Sequence, residues 1–101
     1  MSDSDSDSVG VAVTDNPARG RFEAIVDGEV AGFAAYRQKD DATIELHHTE
    51  VDDGHEGQGV GSRLARGALD AVRASGRKVV PTCPFIRRYI DEHDEYRDLV
   101  A

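Results

Sequence analysis

The sequence predicts a small α+β (α/β) domain in which an antiparallel meander of strands leads into one βαβ unit and a C-terminal helix. Two observations predict this order. The first half alternates apolar and polar residues in short runs bounded by turn residues, which is typical of half-buried strands. The second half spaces its apolar residues three and four positions apart, as amphipathic helices do. A chain of 101 residues suits one domain with a modest core.

The first residues alternate serine and aspartate. Because such a segment has little apolar surface to bury, we expect 1–8 to be a disordered acidic tail and 9–101 to form the domain. At the start of that domain, Val9, Val11 and Val13 alternate with other residues and indicate an edge strand.

Two hairpins are predicted next. Segments 22–26 and 29–36 are joined by Asp27-Gly28, a pair typical of a tight β-turn. A further strand, Thr43–Val51, follows a turn near residues 39–41. On this strand, simple alternation places Ile44, Leu46, His48 and Glu50 on one face and Thr43, Glu45, His47, Thr49 and Val51 on the other.

The second half begins with a helix from Val60 to about residue 75. Its predicted buried stripe consists of Val60, Leu64, Ala65, Ala68, Leu69 and Val72. Val79-Val80 is predicted to be a short buried strand parallel to Thr43–Val51, which completes the βαβ unit. A last helix is predicted from the apolar stripe of Phe85, Ile86, Tyr89 and Ile90.

Between strand and helix stands the run Glu56-Gly57-Gln58-Gly59-Val60-Gly61-Ser62. Its alternating glycines let the backbone approach a ligand, and the free N–H groups of the first helical turn point into the same space. The run therefore predicts a pocket for a phosphate or pyrophosphate. A P-loop would need Lys and Ser/Thr after the last glycine, and a dinucleotide fingerprint would need a third glycine where Ser62 stands, so both matches are weak.

The spacing from Val51 through the glycine run resembles the acyl-CoA loop of the GNAT superfamily of N-acetyltransferases, in which a strand is followed by R/Q-x-x-G-x-G/A. Two further segments, His48-Thr49-x-Val51 and Pro81-x-Cys83-Pro84-Phe85 followed by Tyr89-Ile90, resemble the small single-domain GNAT-like branch of YjdJ type. Glu56 departs from the pattern, because the family usually carries Arg or Gln at that position.

The resemblance extends over about residues 21 to 100. It implies a truncated GNAT fold, acetyl-CoA as cosubstrate and transfer of an acetyl group to an unknown acceptor, most simply an amine. It also implies that the loop binds the CoA pyrophosphate and that the strand edge near Val51 binds the pantetheine amides. The implied cofactor-binding residues are Val51, Glu56, Gly57, Gln58, Gly59, Val60, Gly61 and Ser62. Larger members carry two helices between their first strands, so the acceptor site of this chain is expected to be open.

Cys83 and His48 are the candidate catalytic residues. Cys83 lies where a strand ends and a helix starts, a position that favours a thiolate, and the resembled proteins carry a cysteine at the matching position. A thiolate beside a thioester could accept the acetyl group, whereas the alternative role is that of a small buried hydrophobe. Histidine is suited to remove a proton near neutral pH, so His48 could be the general base, or a structural residue bonded across the sheet.

Composition limits the partners. The chain carries a net charge of −8, which disfavours nucleic acid and anionic membranes. Cys83 is the only cysteine, which fits a reducing cytoplasm, and no apolar run is long enough to span a bilayer. A metal site is not expected, because neighbouring His47 and His48 should point to opposite faces. The expected partners are a CoA thioester and an acceptor. A non-catalytic CoA or acyl-CoA binding module and a small interaction domain remain the alternatives.

Overall fold

The computed structural model describes residues 10–52, 54 and 59–101, so the predicted tail 1–8, Val9 and the first three residues of the glycine run, 56–58, lie outside the described residues. The elements are the strands β1 (Val11–Asn16), β2 (Arg21–Val26), β3 (Glu29–Asp40), β4 (Thr43–Val51) and β5 (Lys78–Pro81), the helices α1 (Val60–Ala74) and α2 (Pro84–Glu92), and the 3-10 segment η1 (Asp94–Leu99).

The described strands form one mixed sheet in the order β1-β2-β3-β4-β5. The first four strands pair antiparallel, and β5 pairs parallel to β4, with α1 as the connection between them. This confirms the predicted meander, the βαβ unit and the C-terminal helix. The Asp27-Gly28 turn is also confirmed, with both residues at positive φ.

The second hairpin is longer than predicted. β3 continues beyond residue 36 to Asp40, and the turn falls at Asp41 and Ala42. The Asp40 carboxylate accepts a hydrogen bond of 2.8 Å from the Ala42 N–H, and the Gln38 side chain donates to the Asp40 carbonyl. These side-chain bonds hold the polar end of the hairpin together, where no apolar alternation indicates a strand.

β4 contains a β-bulge that simple alternation does not predict. Ala35 pairs with His48, and the next residue of β3, Tyr36, pairs with Leu46, which leaves His47 as the extra residue. One extra residue inverts the alternation beyond it. The prediction that Ile44, Leu46, His48 and Glu50 share one face is therefore wrong: Ile44 and Leu46 lie in the core, His48 and Glu50 are exposed, and Val51 packs against the core instead.

Helices and sheet share one hydrophobic core. α1 buries the predicted stripe of Val60, Leu64, Ala65, Ala68, Leu69 and Val72, and α2 adds Ile86, Tyr89 and Ile90. The sequence predicts Phe85 as part of the same apolar stripe of α2, but its side chain is 41% exposed. It stands in the first turn of α2, beside the start of α1 rather than over the sheet.

The C-terminal segment fastens α1 to the edge of the sheet. The Tyr96 hydroxyl donates to the Asp70 carboxylate at 2.7 Å, and Arg73 donates to both carboxylate oxygens of Asp98 at 3.0 Å. The N–H of Ala101 donates to the Val79 carbonyl at 2.9 Å, which adds the end of the chain to β5. These contacts join η1 to α1 and the end of the chain to β5. α2 lies on the same side, where Phe85 stands against Gly61 and the Tyr89 ring lies 6.0 Å from that of Tyr96. In the described part of the chain, no helix combines the length and apolar character needed to cross a lipid bilayer.

Candidate functional site

The strands β4 and β5 separate halfway along β4. Their pairing runs from Thr43 opposite Lys78 to Leu46 opposite Pro81. Beyond Leu46, β4 continues to Val51 without β5, while it stays paired with β3. The last backbone hydrogen bond at this junction, of 3.0 Å, runs from the Cys83 N–H to the Leu46 carbonyl. Within the described residues, no strand pairs with the remainder of this edge, which we call the open edge of β4 (residues 47–51).

Val51 turns its backbone toward the open edge. The N–H of the next residue, Asp52, donates to the Ala31 carbonyl of β3 at 2.8 Å. Because neighbouring residues of an antiparallel strand direct their hydrogen-bonding groups to opposite sides, the Val51 N–H and carbonyl point away from β3. They are therefore available to an extended ligand that pairs with the strand edge.

Close packing at Val51 depends on a glycine in β3. Gly32 lies opposite Val51, and a Cβ atom at Gly32 would stand 2.6 Å from the Glu50 carbonyl oxygen and 3.2 Å from the Val51 Cα. Both are backbone atoms, so they cannot rotate away. Gly32 therefore allows β3 and β4 to approach each other directly behind the open edge.

The start of α1 lies against the same end of β4. A Cβ atom at Gly61 would stand 3.6 Å from Val51 Cγ2 and 3.0 Å from the ring of Phe85. Because Gly61 has no side chain, the first turn of α1 can lie directly next to the open edge. Its neighbour Ser62 is exposed, whereas Val60 is buried and anchors the helix.

The first turn of α1 has N–H groups to offer. Gly59 caps the helix with φ 77° and ψ 12°, a left-handed conformation that favours glycine. The first helical hydrogen bond runs from the Arg63 N–H to the Gly59 carbonyl at 3.1 Å, so the N–H groups of residues 60–62 precede the helical ladder. In the described part of the chain, no side chain caps this end and no acidic residue stands in the first turn. This arrangement is suited to an anion.

The predicted loop residues therefore divide into two groups. Val51, Gly59, Val60, Gly61 and Ser62 come together at the junction of β4 and α1. Glu56, Gly57 and Gln58 lie outside the described residues.

Cys83 stands at the predicted junction of strand and helix. It is the residue immediately before α2, it is only 4% exposed, and its sulfur lies 3.4 Å from the Thr49 hydroxyl oxygen. Thr49 lies on the open edge of β4, so the thiol faces the region where β4 and β5 separate. Simple alternation does not predict the contact between Thr49 and Cys83, because the bulge at His47 is what turns Thr49 toward the cysteine.

His48 lies on the opposite face of the sheet. Its Nε2 is 2.8 Å from a Glu50 carboxylate oxygen, and its ring centroid is 6.1 Å from that of Phe33. The hydrogen bond thus runs along β4 rather than across the sheet. The structure does not bring His48 and Cys83 together on one face, because the bulge at His47 turns His48 to the side opposite Leu46 and the helices.

We call this opposite side the uncovered face, since no helix in the described ranges packs on it. It carries Phe33, with the Arg21 guanidinium 4.5 Å from its ring centre, and the His48–Glu50 pair. Near the separation of β4 and β5, the Glu45 carboxylate accepts a hydrogen bond of 2.7 Å from the Thr82 hydroxyl. That bond and the positive charges of Lys39 and Arg37 lower the pKa of Glu45. The face is therefore accessible and carries paired charges of both signs.

The residues present fit a CoA thioester. The open edge offers an N–H and a carbonyl to the pantetheine amides, and the uncapped first turn of α1 offers N–H groups to phosphate, with Gly61 providing the space between them. In contrast, the described ranges 10–52, 54 and 59–101 hold no cluster of three His, Cys, Asp or Glu residues able to bind a metal ion.

Known proteins resemble this chain in sequence over half its length. Protein NATD1 of Xenopus tropicalis is 39% identical over 51 residues, which are 50% of this chain and 47% of the relative. Protein NATD1 of Homo sapiens is 40% identical over 50 residues, which are 50% of this chain and 44% of the relative. The chain thus spans about half the length of the curated relatives it matches.

Solved structures share the fold. The NMR structure of a GCN5-like protein from Staphylococcus aureus superposes with a TM-score of 0.67 at 24% identity, covering 89% of this chain and 87% of that one. Ard1 from Thermoplasma volcanium superposes with a TM-score of 0.58 at 22% identity, covering 73% of this chain and 54% of that one. The sequence model of the family described as "GCN5-related N-acetyl-transferase" matches residues 21–99, which are most of the chain. This chain belongs to the GCN5-related N-acetyltransferase family.

Proposed function

We propose that the protein is an acetyl-CoA-dependent N-acetyltransferase that acetylates an amine. The observation that carries this proposal is the contact between Val51, on the open edge of β4, and Gly61, in the uncapped first turn of α1. A ligand that is extended and amide-bearing at one end and phosphorylated at the other needs these two features side by side.

In this proposal the chain holds the cosubstrate at three points. The N–H groups of residues 60–62 bind the pyrophosphate, and the Val51 backbone pairs with a pantetheine amide. The thioester then reaches the point where β4 and β5 separate, beside Thr49 and Cys83. A backbone N–H near Val51 would donate to the thioester carbonyl oxygen as negative charge develops there.

When bound, acetyl-CoA supplies the activated acetyl group, and CoA leaves as the thiol once the carbon–sulfur bond breaks. For direct attack by an amine, His48 accepts in this proposal the proton that the amine nitrogen loses. Its exposure on the uncovered face and its bond to Glu50, which orients the ring, support this role.

Cys83 supports a second route through the same cleft. Its thiolate would form a bond to the acetyl carbon, and the acetyl group would pass from sulfur to the amine in a second step. The side chain is almost fully buried, so access to it is through the space between β4 and β5. A cytoplasmic location, where the thiol stays reduced, goes with this proposal.

Titration calorimetry with CoA, followed by turnover of acetyl-CoA with a panel of primary amines, tests the function. Saturable CoA binding with amine-dependent release of the CoA thiol is the expected result. Binding without turnover would indicate a non-catalytic CoA module. Absence of CoA binding would overturn the proposal and leave an interaction domain.

A further inference from the structure

A groove of about 340 Å³ lies between the edge strand β1 and the outer side of α1. It is lined by Val11 and Val13 of β1 and by Arg63, Arg66, Gly67 and Asp70 of α1. The two elements touch at Gly67, where an added Cβ atom would stand 2.6 Å from the Val13 Cβ. Because glycine has no side chain, β1 lies directly on α1, and the groove opens beside this contact.

β1 and α1 run in opposite directions across the contact. Two residues after Val13, Asp15 lines a small cavity with the C-terminal end of α1. Two residues before Val13, Val11 is displaced by about 7 Å the other way. On α1 a similar distance leads from Gly67 back to Arg63, because four helical residues span about 6 Å. The chain that precedes Val11 therefore reaches β1 beside Arg63, close to the uncapped first turn of α1.

Two arginines give the groove its charge. Arg63 is half-buried and Arg66 is exposed. Among the described residues, neither guanidinium takes part in an ion pair. The carboxylate that lines the groove, that of Asp70, instead accepts a hydrogen bond of 2.7 Å from the Tyr96 hydroxyl. The groove thus presents two positive charges, and a guanidinium pairs well with a carboxylate.

The same chain carries a segment of the complementary charge. Residues 1–8 contain three aspartates, Asp3, Asp5 and Asp7, and no basic residue. Asp7 is four positions before Val11, so it can reach at most roughly 13 Å from the strand, and Asp3 roughly 26 Å. This acidic tail is therefore attached at the arginine end of the groove, and each of its carboxylates is within reach of both guanidinium groups.

We propose that the acidic tail, residues 1–8, docks in this groove on Arg63 and Arg66 and thereby competes with the phosphates of acetyl-CoA. The docking follows from the charges and from the course of β1. The competition rests on the proposed function, which puts the CoA pyrophosphate on the N–H groups of residues 60–62. The tail is then an autoinhibitory segment of the cosubstrate site.

The docked tail lowers the affinity for CoA through its charge. It neutralises Arg63 and Arg66, whose positive field otherwise attracts anions to the start of α1. It also brings carboxylates near the anion-binding turn, since residues 61 and 66 are about 7.5 Å apart along the helix axis. This separation is shorter than the Debye length of about 10 Å at 0.1 M salt, so the effect should be strong at low salt and disappear at molar salt.

Paramagnetic relaxation enhancement tests the docking without any cosubstrate. A nitroxide is attached to Ser4→Cys in a Cys83→Ala background, so that the label occupies one site. At low salt, the amide signals of residues 63–67 should be broadened more than those at the opposite end of α1. Molar salt should remove most of this difference, because it screens the charges.

A neutral-tail variant shows whether the carboxylates hold the tail in place. This variant combines Asp3→Asn, Asp5→Asn and Asp7→Asn, and it should lose most of the broadening at residues 63–67. The matched control has as many asparagines but keeps the three carboxylates: Ser2→Asn, Ser6→Asn and Ser8→Asn. The control should retain the broadening. Equal broadening in the neutral-tail variant would overturn the docking.

Calorimetry with CoA at low salt tests the competition. The neutral-tail variant should bind CoA at least about threefold more tightly than the wild-type protein, the range of one or two exposed charge pairs. In an Arg63→Gln, Arg66→Gln background the neutral tail should give no such gain, because the tail has lost its docking partners. Arg19→Gln with Arg37→Gln removes two positive charges outside the groove and should keep the gain.

The outcomes separate the inference from the proposed function. An equal gain in the Arg63→Gln, Arg66→Gln background would mean that the tail repels CoA from a distance, and an unchanged CoA affinity of the neutral-tail variant would exclude competition. Either result overturns the inference and leaves the proposed function intact. If neither the wild-type protein nor the neutral-tail variant binds CoA, the proposed function and the competition both fail, and the relaxation measurement decides the docking alone.

Discussion

The Thr49 hydroxyl oxygen lies 3.4 Å from the Cys83 sulfur, and this contact stands where β4 and β5 separate. The two residues are 34 positions apart in the chain. They meet because the bulge at His47 turns Thr49 toward the helices, while the Cys83 N–H is held by the Leu46 carbonyl. A thiol and a hydroxyl are thus placed together at the end of the proposed thioester site.

The first prediction concerns the start of α1. Gly59→Val should weaken CoA binding more than tenfold, or about 1.4 kcal/mol, because a β-branched residue does not adopt the φ of 77° that directs the first turn. Gly76→Val is a matched control at the other end of α1, since Gly76 has φ 78° and, as at Gly59, an added Cβ atom would meet no atom of the described residues within 4 Å. The control should lose stability but retain CoA affinity. Equal CoA affinity of Gly59→Val and the wild-type protein would contradict the assignment.

The second prediction concerns the thiol. Incubation with acetyl-CoA alone should add one acetyl group to the protein, as intact-mass spectrometry would measure, and Cys83→Ala should abolish this gain. Thr49→Val should slow the acetylation and Thr49→Ser should preserve its rate, because serine keeps the hydroxyl that contacts the sulfur. If Cys83→Ala acetylates amines at the wild-type rate, the acceptor attacks directly and the thiol has no catalytic role.

The third prediction concerns His48. His48→Gln should lower kcat for amine acetylation by about a hundredfold or more, the usual contribution of a general base, and leave CoA affinity unchanged. His47→Gln, at the bulge, serves as the neighbouring control and should retain most of the activity. A wild-type rate in His48→Gln would show that its bond to Glu50 serves the sheet alone.

The fourth prediction concerns the spacing of β3 and β4. Gly32→Ala should cost about 1–3 kcal/mol of unfolding free energy, since its methyl group would meet the Glu50 carbonyl oxygen at 2.6 Å. It should also weaken CoA binding, because β4 would move at Val51. Gly10→Ala is the control, because an added Cβ atom there would meet no atom of the described residues within 4 Å. Chemical denaturation should show little change in its unfolding free energy. An unchanged denaturation midpoint for Gly32→Ala would contradict this packing.

The fifth prediction concerns acid stability. The Arg73 side chain lowers the pKa of Asp98, so the pair stabilises the fold above the ordinary pKa of aspartate and loses this contribution as the pH falls through the lowered pKa. Asp98→Asn should therefore lower Tm near neutral pH. The difference in Tm between this variant and the wild-type protein should become smaller in acid. Arg73→Gln should act in the same direction. If the Tm of Asp98→Asn fell with pH as steeply as that of the wild-type protein, the Arg73–Asp98 pair would not be the source of the acid dependence.

The order of elements was predictable because it depends on local patterns. The Asp27-Gly28 pair selects a turn by its backbone preference, and the spacing of Val60, Leu64, Ala68 and Val72 matches the helical period, so these features need no knowledge of distant residues. The same applies to the start of α2 at Cys83 and Pro84, since proline favours the first helical position. The family resemblance rested on motifs of this local kind, and the match over residues 21–99 confirms it.

Tertiary structure decided which side chains face one another. The bulge at His47 exists through the pairing of β4 with β3, and it exchanges the faces of His48 and Thr49 relative to simple alternation. Phe85 is exposed because the first turn of α2 directs it toward Gly61 of α1, a contact between distant segments. The amino-acid sequence by itself determined the elements and the glycine-containing helix start, because these follow from conformational preference and hydrophobic period. The assembled fold determined the pairing of Thr49 with Cys83, because this contact arises from packing between elements far apart in the chain.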